Sequence, residues 1–100
     1  MDETAGRMTD RAMIGIRSAI AAYRSETRSF RGLLADIEAW IGSLVGIADP
    51  GWIHELRGLS NQLEAINASM FDENRTSLDD QEVRVASDIL DGLETMTHRY

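Results

Sequence analysis

The stretch that decides the fold is Ile47-Ala-Asp-Pro-Gly-Trp52, in the middle of a chain of 100 residues. Proline disfavours a helical conformation at the residue before it, so a helix arriving from the N-terminal side has to end by Asp49. Pro50 is well placed as a first helical residue, and the Asp49 carboxylate can accept a hydrogen bond from a backbone N–H of the new helix. We therefore predict one helix on each side of this stretch.

Two helical segments precede this boundary, because apolar residues recur there at intervals of three and four. The first runs from about Thr9 to Ser25 and the second from about Ser29 to Ala48. One helix over both would be about 60 Å long at 1.5 Å per residue, too long for a compact domain of this size, so we expect a break near residues 25–29. The apolar stripes are Ala12, Met13, Ile16, Ala19, Ile20 and Tyr23, then Phe30, Leu33, Leu34, Ile37, Trp40, Ile41, Leu44 and Val45.

Two further segments follow the boundary. The third extends from Pro50 to about Phe71, and the fourth begins at Ser77-Leu-Asp-Asp80, which has the spacing of a capping box. Their apolar faces are Trp52, Leu56, Leu59, Leu63, Ile66 and Met70, then Leu78, Val85, Ala86, Ile89, Leu90, Leu93 and Met96.

Four amphipathic helices with short connections predict an all-α fold, a compact up-and-down four-helix bundle. The alternative is a three-helix bundle with a long kinked first helix. We expect a flexible N-terminus at residues 1–8 and a single helical-bundle domain at residues 9–100.

Small residues line up on the second segment, opposite its apolar face. An interior glycine costs about 0.5–1 kcal/mol relative to alanine, and a small-residue stripe allows another backbone to approach closely. We expect from this pattern that the second helix is buried on two sides, at the centre of the bundle. The same face is a candidate contact for a homodimer. The stripe consists of Gly32, Ala35, Ala39, Gly42 and Gly46.

Composition and motifs argue against several functional classes. The chain has no cysteine, only His54 and His98 as histidines, and no recognised phosphate-binding loop or metal motif, so we expect no enzymatic activity, no metal and no cofactor. The net charge of −7 argues against binding to nucleic acid or to an anionic membrane through the overall field. No run approaches the roughly 20 apolar residues of a membrane helix, and we expect a cytoplasmic protein.

Most of the excess negative charge lies in the second half of the chain. Residues 1–50 carry six arginines and seven acids, whereas residues 51–100 carry four arginines and ten acids. We interpret this acidic half as a surface for a basic partner, with a partly exposed tryptophan as a hot spot. Alternatively, these acids are a solvated face, or arginines along one edge of the first segment (Arg17, Arg24 and Arg28) balance them within the molecule. The candidate partner-binding residues are Asp72, Glu73, Asp80, Asp88, Asp91, Glu94 and Trp52.

Three stretches together resemble a known class of proteins: Leu33-Leu-Ala-Asp-Ile-Glu-Ala-Trp40, Ala48-Asp-Pro-Gly-Trp-Ile-His-Glu-Leu56, and Leu78-Asp-Asp-Gln-Glu82 before the last helix. They are similar to small helical immunity proteins of bacterial toxin–immunity systems. The resemblance implies a cognate toxin bound in a stable complex and no catalysis, and it assigns no site residues. We therefore expect a non-catalytic immunity or antitoxin protein whose acidic C-terminal half binds a basic toxin domain. The alternative is a self-associating structural or regulatory helical module.

Overall fold

A computed structural model describes residues 3–98 as four α-helices without a strand. The helices are α1 (Glu3–Arg24), α2 (Phe30–Gly42), α3 (Pro50–Asp72) and α4 (Asp80–Thr97). The predicted all-α four-helix bundle is confirmed, and the three-helix alternative is wrong because α1 and α2 are separate helices. The helix α1 begins earlier than the expected Thr9, so part of the segment predicted as flexible is helical; Met1 and Asp2 lie outside the described residues.

The four helices form a closed ring of neighbours. Each helix contacts the next in sequence, and α1 also contacts α4, whereas the diagonal pairs α1–α3 and α2–α4 have no Cα atoms within 8 Å of each other in the described residues. Arg17 of α1 reaches Thr97, and Arg24, further along α1, reaches Asp91. The helices α1 and α4 are therefore antiparallel, and the bundle measures 48 × 24 × 18 Å.

The break between α1 and α2 comes from the polar residues that separate them. Glu26 adopts a left-handed backbone conformation with φ of 65°, which ends α1. Thr27 donates hydrogen bonds to the carbonyl of Ala22 through its backbone N–H (2.9 Å) and its hydroxyl (3.0 Å). The Ser29 hydroxyl then caps α2 by accepting from the Gly32 N–H at 3.0 Å. The predicted break near residues 25–29 is confirmed.

The boundary before α3 also has the predicted chemistry. The Asp49 carboxylate accepts the Trp52 N–H at 2.9 Å, and Pro50 is the first residue of α3. The helix α2 ends earlier than the expected Ala48, at Gly42, and a series of turns with Gly46 at φ +82° connects the two helices. Val45 lies in these turns and is 58% exposed, whereas Leu44 beside it is fully buried, so the predicted place of Val45 in the apolar face is wrong.

The start of α4 differs from the expected capping box. Asp79, two residues after Ser77, is the N-cap: its carboxylate accepts the Glu82 N–H at 2.8 Å, and the Glu82 carboxylate accepts the Asp79 N–H at 2.9 Å. The predicted box at Ser77 and Asp80 is therefore wrong. A glutamate side chain three residues after the cap can reach back to the cap N–H, and only the Asp79 position has a glutamate at that spacing.

The core contains most of the residues of the four predicted apolar faces. Several residues in the second half of the chain differ from the prediction, and one of them is Met70, which is only partly buried and is not part of the core. Ile53 is 8% exposed and turns inward on α3, while Trp52 beside it is only partly buried against the core. Val85 was predicted to be buried but is 45% exposed, since it lies at the edge of the inward face of α4 defined by Ala86 and Ile89.

Most of the small-residue stripe of α2 lies on open surface, although the Arg28 side chain covers Gly32. Ala35, Ala39 and Gly42 are exposed, and a methyl group added at Gly42 would meet no atom within 4 Å. The expectation that α2 is buried on two sides is therefore wrong, because α2 has neighbours only in α1 and α3. The close approach occurs instead at Gly15 of α1, which the indole of Trp40 covers.

Candidate partner-binding surface

One end of the bundle carries a cluster of charges built around Arg75, in the loop between α3 and α4. The Arg75 guanidinium binds Glu73 at 2.5 Å, binds both carboxylate oxygens of Glu82, and lies 3.8 Å from Asp79. One positive charge therefore faces three carboxylates. Adding Asp72 and Asp80, the segment of residues 72–82 has five acids against one arginine. We call these six residues the acidic end.

Hydrogen bonds stabilise the charged forms of two members of the acidic end, Glu82 and Arg75. Hydrogen bonds from Arg75 and from the Asp79 backbone N–H lower the pKa of Glu82 from 4.5 to about 2. The hydrogen bond to Glu82 likewise raises the pKa of Arg75 above its ordinary value. Both groups are therefore ionised at neutral pH, and the loop is tied to the first turn of α4.

The outer face of α4 is divided into two parts. Asp80 and Asp88 are exposed and form no ion pair with any residue in the range 3–98. Asp91 and Glu94, by contrast, bind the guanidinium of Arg24 from α1, at 2.7 Å and 2.5 Å. The predicted acidic face thus keeps its unpaired charge in the first half of α4, while Arg24 balances the charge of Asp91 and Glu94 in the second half, as the alternative interpretation expected.

The other two arginines of the predicted rim do not bind the acidic face. Arg28 forms a two-pronged pair with Asp36 of α2, with both distances 2.9 Å. This hydrogen bonding raises the pKa of Arg28. Arg17 donates to the carbonyl oxygen of Thr97 at 3.3 Å and lies 3.4 Å from the His98 ring. The Arg28 contact ties the α1–α2 turn to α2, and the Arg17 contacts join α1 to the end of α4. Neither arginine neutralises a carboxylate of the acidic end.

Trp52 does not lie with the acidic residues. It is in the first turn of α3, whereas Asp72 is the last residue of that helix. Twenty residues of helix separate them by about 30 Å. Trp52 is half-buried against the core, so the structure supports its role as a core anchor and does not bring it into the acidic surface.

An apolar groove, which the sequence did not indicate, opens beside the acidic end. It has a volume of about 710 Å³ and lies between the α1–α2 turn on one side and the end of α3 with the following loop on the other. Phe71 is 68% exposed and Val83 is 46% exposed at its edges. The sequence signal was their position outside the apolar stripes of α3 and α4. The apolar lining consists of Tyr23, Phe30, Met70, Phe71, Leu78 and Val83.

Two kinds of site were not found in the part of the chain that the structure describes. Within residues 3–98, no three histidine, cysteine, aspartate or glutamate side chains are grouped so that they could hold a metal ion. In the same residues, no helix has the length and apolar character needed to cross a membrane. The chemistry that this surface does offer is ion pairing by fixed carboxylates and burial of apolar groups in the adjoining groove.

In comparisons with known proteins, no family model, no curated protein and no solved structure matches this chain. The fold and the surface define its class as a small all-α bundle with an acidic end and an adjacent apolar groove.

Proposed function

We propose that this chain is a non-catalytic immunity (antitoxin) protein that binds and neutralises a cognate bacterial toxin with a basic surface, in the cytoplasm. The observation that carries the proposal is the acidic end, where five carboxylates stand against one arginine in eleven residues, and where Arg75 contacts three of them while Asp72 and Asp80 form no ion pair within residues 3–98. A toxin that acts on a phosphate-containing substrate has a basic active site, and a rigid acidic protein can cover it.

The charge distribution supports binding of a basic partner. The net charge of −7 attracts a basic protein at long range and raises the rate of association. At short range, exposed carboxylates at Asp72, Asp80 and Asp88 are available for pairing with arginine or lysine of the partner. Asp91 and Glu94 contribute less than expected from the sequence, because Arg24 already shares their charge.

The experiment that tests this proposal is charge reversal with a matched control. The chain is co-expressed with the toxin domain encoded by the neighbouring gene, and growth and complex formation are measured. The variant Asp72→Arg/Asp80→Arg/Asp88→Arg should lose protection and binding. A control of equal charge change at three exposed sites elsewhere should retain both, apart from a slower association rate. The control is Asp10→Arg/Glu38→Arg/Glu55→Arg.

Two outcomes would contradict the proposal. If the wild-type chain neither protects cells nor binds the toxin domain, the immunity function is wrong. If both triple variants bind equally well, the acidic end is not the contact surface. Circular dichroism of each variant confirms that the fold is kept, which is expected because all six positions are exposed.

Self-association remains the second candidate function, because the small-residue stripe of α2 is uncovered. Ala35, Ala39 and Gly42 leave an open strip on which a second copy could approach closely. Sedimentation at micromolar concentration separates the two functions. A dimer that dissociates when Ala39 is changed to Glu would favour self-association through α2, and a monomer would exclude it.

A further inference from the structure

The groove beside the acidic end concentrates exposed apolar surface in one place. Phe71 and Val83 are among the few large hydrophobic side chains of the described residues that are strongly exposed, and both line this groove. Behind them, the rings of Tyr23 and Phe30 pack at a centroid distance of 5.6 Å and form the wall on the side of α1 and α2. Contiguous apolar surface of this kind is typical of contact sites, whereas scattered apolar residues are not.

The charges around the groove restrict what can occupy it. The charged residues that line the groove are Arg31 and Arg75, and no carboxylate of the described residues lines it. The five carboxylates of the acidic end lie just outside: Asp72 follows the lining residue Phe71 in the chain, and Glu82 precedes the lining residue Val83. Because these five acids outnumber the two arginines, the rim around the groove is negative overall. A second copy of this chain would bring the same negative rim, and like charges facing each other disfavour such a contact. An occupant with apolar groups between positive charges satisfies both the groove and its rim.

We propose that this groove is the docking site for a basic amphipathic segment of the partner. An aromatic or large aliphatic side chain of that segment inserts between Phe71 and Val83, and flanking arginines or lysines pair with Asp72 and Asp80. The groove volume of about 710 Å³ lies within the roughly 300–1,000 Å³ of sites that enclose a ligand group. The inference rests on the proposed function and names the part of the toxin surface that this chain recognises.

The arrangement also fits the usual anatomy of an interface. Binding energy in protein contacts is concentrated in a central apolar anchor, while charged residues form the rim. Here the groove receives the apolar anchor of the partner, Phe71 lies at its edge, and the neighbouring Asp72 begins the charged rim. Val83 is one helical turn from Asp80 on α4, so the second edge of the groove combines an apolar and an acidic side chain in the same way.

The inference is tested with three synthetic peptides and the full chain. The first peptide has a central Trp-Leu pair flanked on both sides by arginine and lysine. In the second, serines replace the Trp-Leu pair, and in the third, glutamates replace the basic residues. Fluorescence anisotropy gives the affinities, and NMR chemical-shift changes locate the contact. The first peptide should bind with shift changes at Phe71, Leu78 and Val83, the second at least about fivefold more weakly, and the third not at all.

Matched variants separate the groove from the rest of the apolar surface. Phe71→Ala should weaken binding of the first peptide at least about fivefold, whereas Val45→Ala should leave it unchanged. Val45 is the control because it is similarly exposed (58% against 68%) and lies at the opposite end of the bundle. The inference is overturned if the first peptide does not bind, if it binds no better than the second, or if the shift changes lie outside the groove.

The toxin assay distinguishes failure of this inference from failure of the proposed function. If Phe71→Ala neutralises the toxin domain as well as the wild type does, while the charge reversal at Asp72, Asp80 and Asp88 abolishes neutralisation, the groove is not the docking site and the immunity function stands. If the wild-type chain itself fails to neutralise the toxin domain, the proposed function is wrong, and the peptide measurements still decide whether the groove binds basic amphipathic segments.

Discussion

Gly15 is the position where a single methyl group should disturb the bundle most clearly. An alanine Cβ there would lie 2.5 Å from Cζ2 of Trp40 and closer still to its Cε2 and Nε1. Because carbon atoms pack at about 3.5–4.0 Å, the overlap exceeds about 1 Å. The helix backbone cannot retreat easily, since Met13 and Ile16 on either side are almost fully buried. Either α1 and α2 separate, or the indole swings outward.

The expected loss of stability follows from two opposing effects. Overpacking of this kind costs typically 1–3 kcal/mol. Moving the indole into solvent has a similar free-energy cost, because exposing about 100 Å² of apolar surface at about 25 cal/mol per Å² costs about 2.5 kcal/mol. Alanine also favours the helix over glycine by about 0.8–1.0 kcal/mol. The net destabilisation by Gly15→Ala should therefore be about 1–2 kcal/mol.

The matched control is Gly58→Ala, the same substitution in the interior of α3, where an added Cβ would meet no atom within 4 Å. It should stabilise the protein by about 0.5–1 kcal/mol. Urea unfolding followed by circular dichroism measures both changes. In a Trp52→Phe background, Trp40 is the only tryptophan, and its emission should shift to longer wavelength on Gly15→Ala. Equal stability of the two alanine variants would refute the close packing of Trp40 on Gly15.

Three further predictions concern the helix ends and the charges. The stabilisation by the charged Glu82 side chain should be complete above its ordinary pKa of 4.5 and disappear as the pH falls through about 2. The difference in unfolding free energy between the wild type and Glu82→Gln, measured in urea, should therefore shrink over this pH range. A difference that stays constant would contradict the role of Arg75. Gly46→Ala should cost about 1–2 kcal/mol in thermal unfolding, because φ is +82° there; an unchanged midpoint would show that the turn relaxes. Arg24→Gln should cost less than about 1 kcal/mol in the same assay, since its ion pairs are exposed, and a larger loss would mean that they close the bundle.

The features that the sequence predicted well are those decided by neighbouring residues. Asp49 and Pro50 set the start of α3 because a cap and a fixed φ act within one turn. The start of α4 was harder, since Ser77 and Asp79 are both suitable caps and only the reach of Glu82 favours the second. Periodicity likewise identified most of the core, because the inward face of a helix repeats along its own sequence.

Features that depend on a neighbouring helix were missed. The spacing of the small residues on α2 indicated that another backbone could approach this face. It did not indicate whether a neighbouring helix lies there, and a Cβ added at Gly42 would meet no atom within 4 Å. Gly15 belongs to a similar series of small residues (Ala12, Gly15, Ala19 and Ala22), but its importance depends on Trp40, twenty-five residues away in another helix. The ion pair of Arg24 with Asp91 also joins two helices, and the sequence offered this balance of charge only as an alternative interpretation. The groove appears only when the turn after α1 and the end of α3 are brought to the same end of the bundle.

The arginine of the α3–α4 loop has a consequence for the thermodynamics of recognition. Because Arg75 binds Glu73 before it and Glu82 after it, the loop has few conformations left to lose when a partner arrives. Ordering a binding loop commonly weakens association by about 0.5–1.5 kcal/mol per immobilised side chain. At these positions the side chains are already ordered in the free protein, so binding does not carry this entropic cost. A partner at this surface meets a conformation that already exists, and replacing Arg75 would convert the loop into a segment that has to fold at the moment of binding.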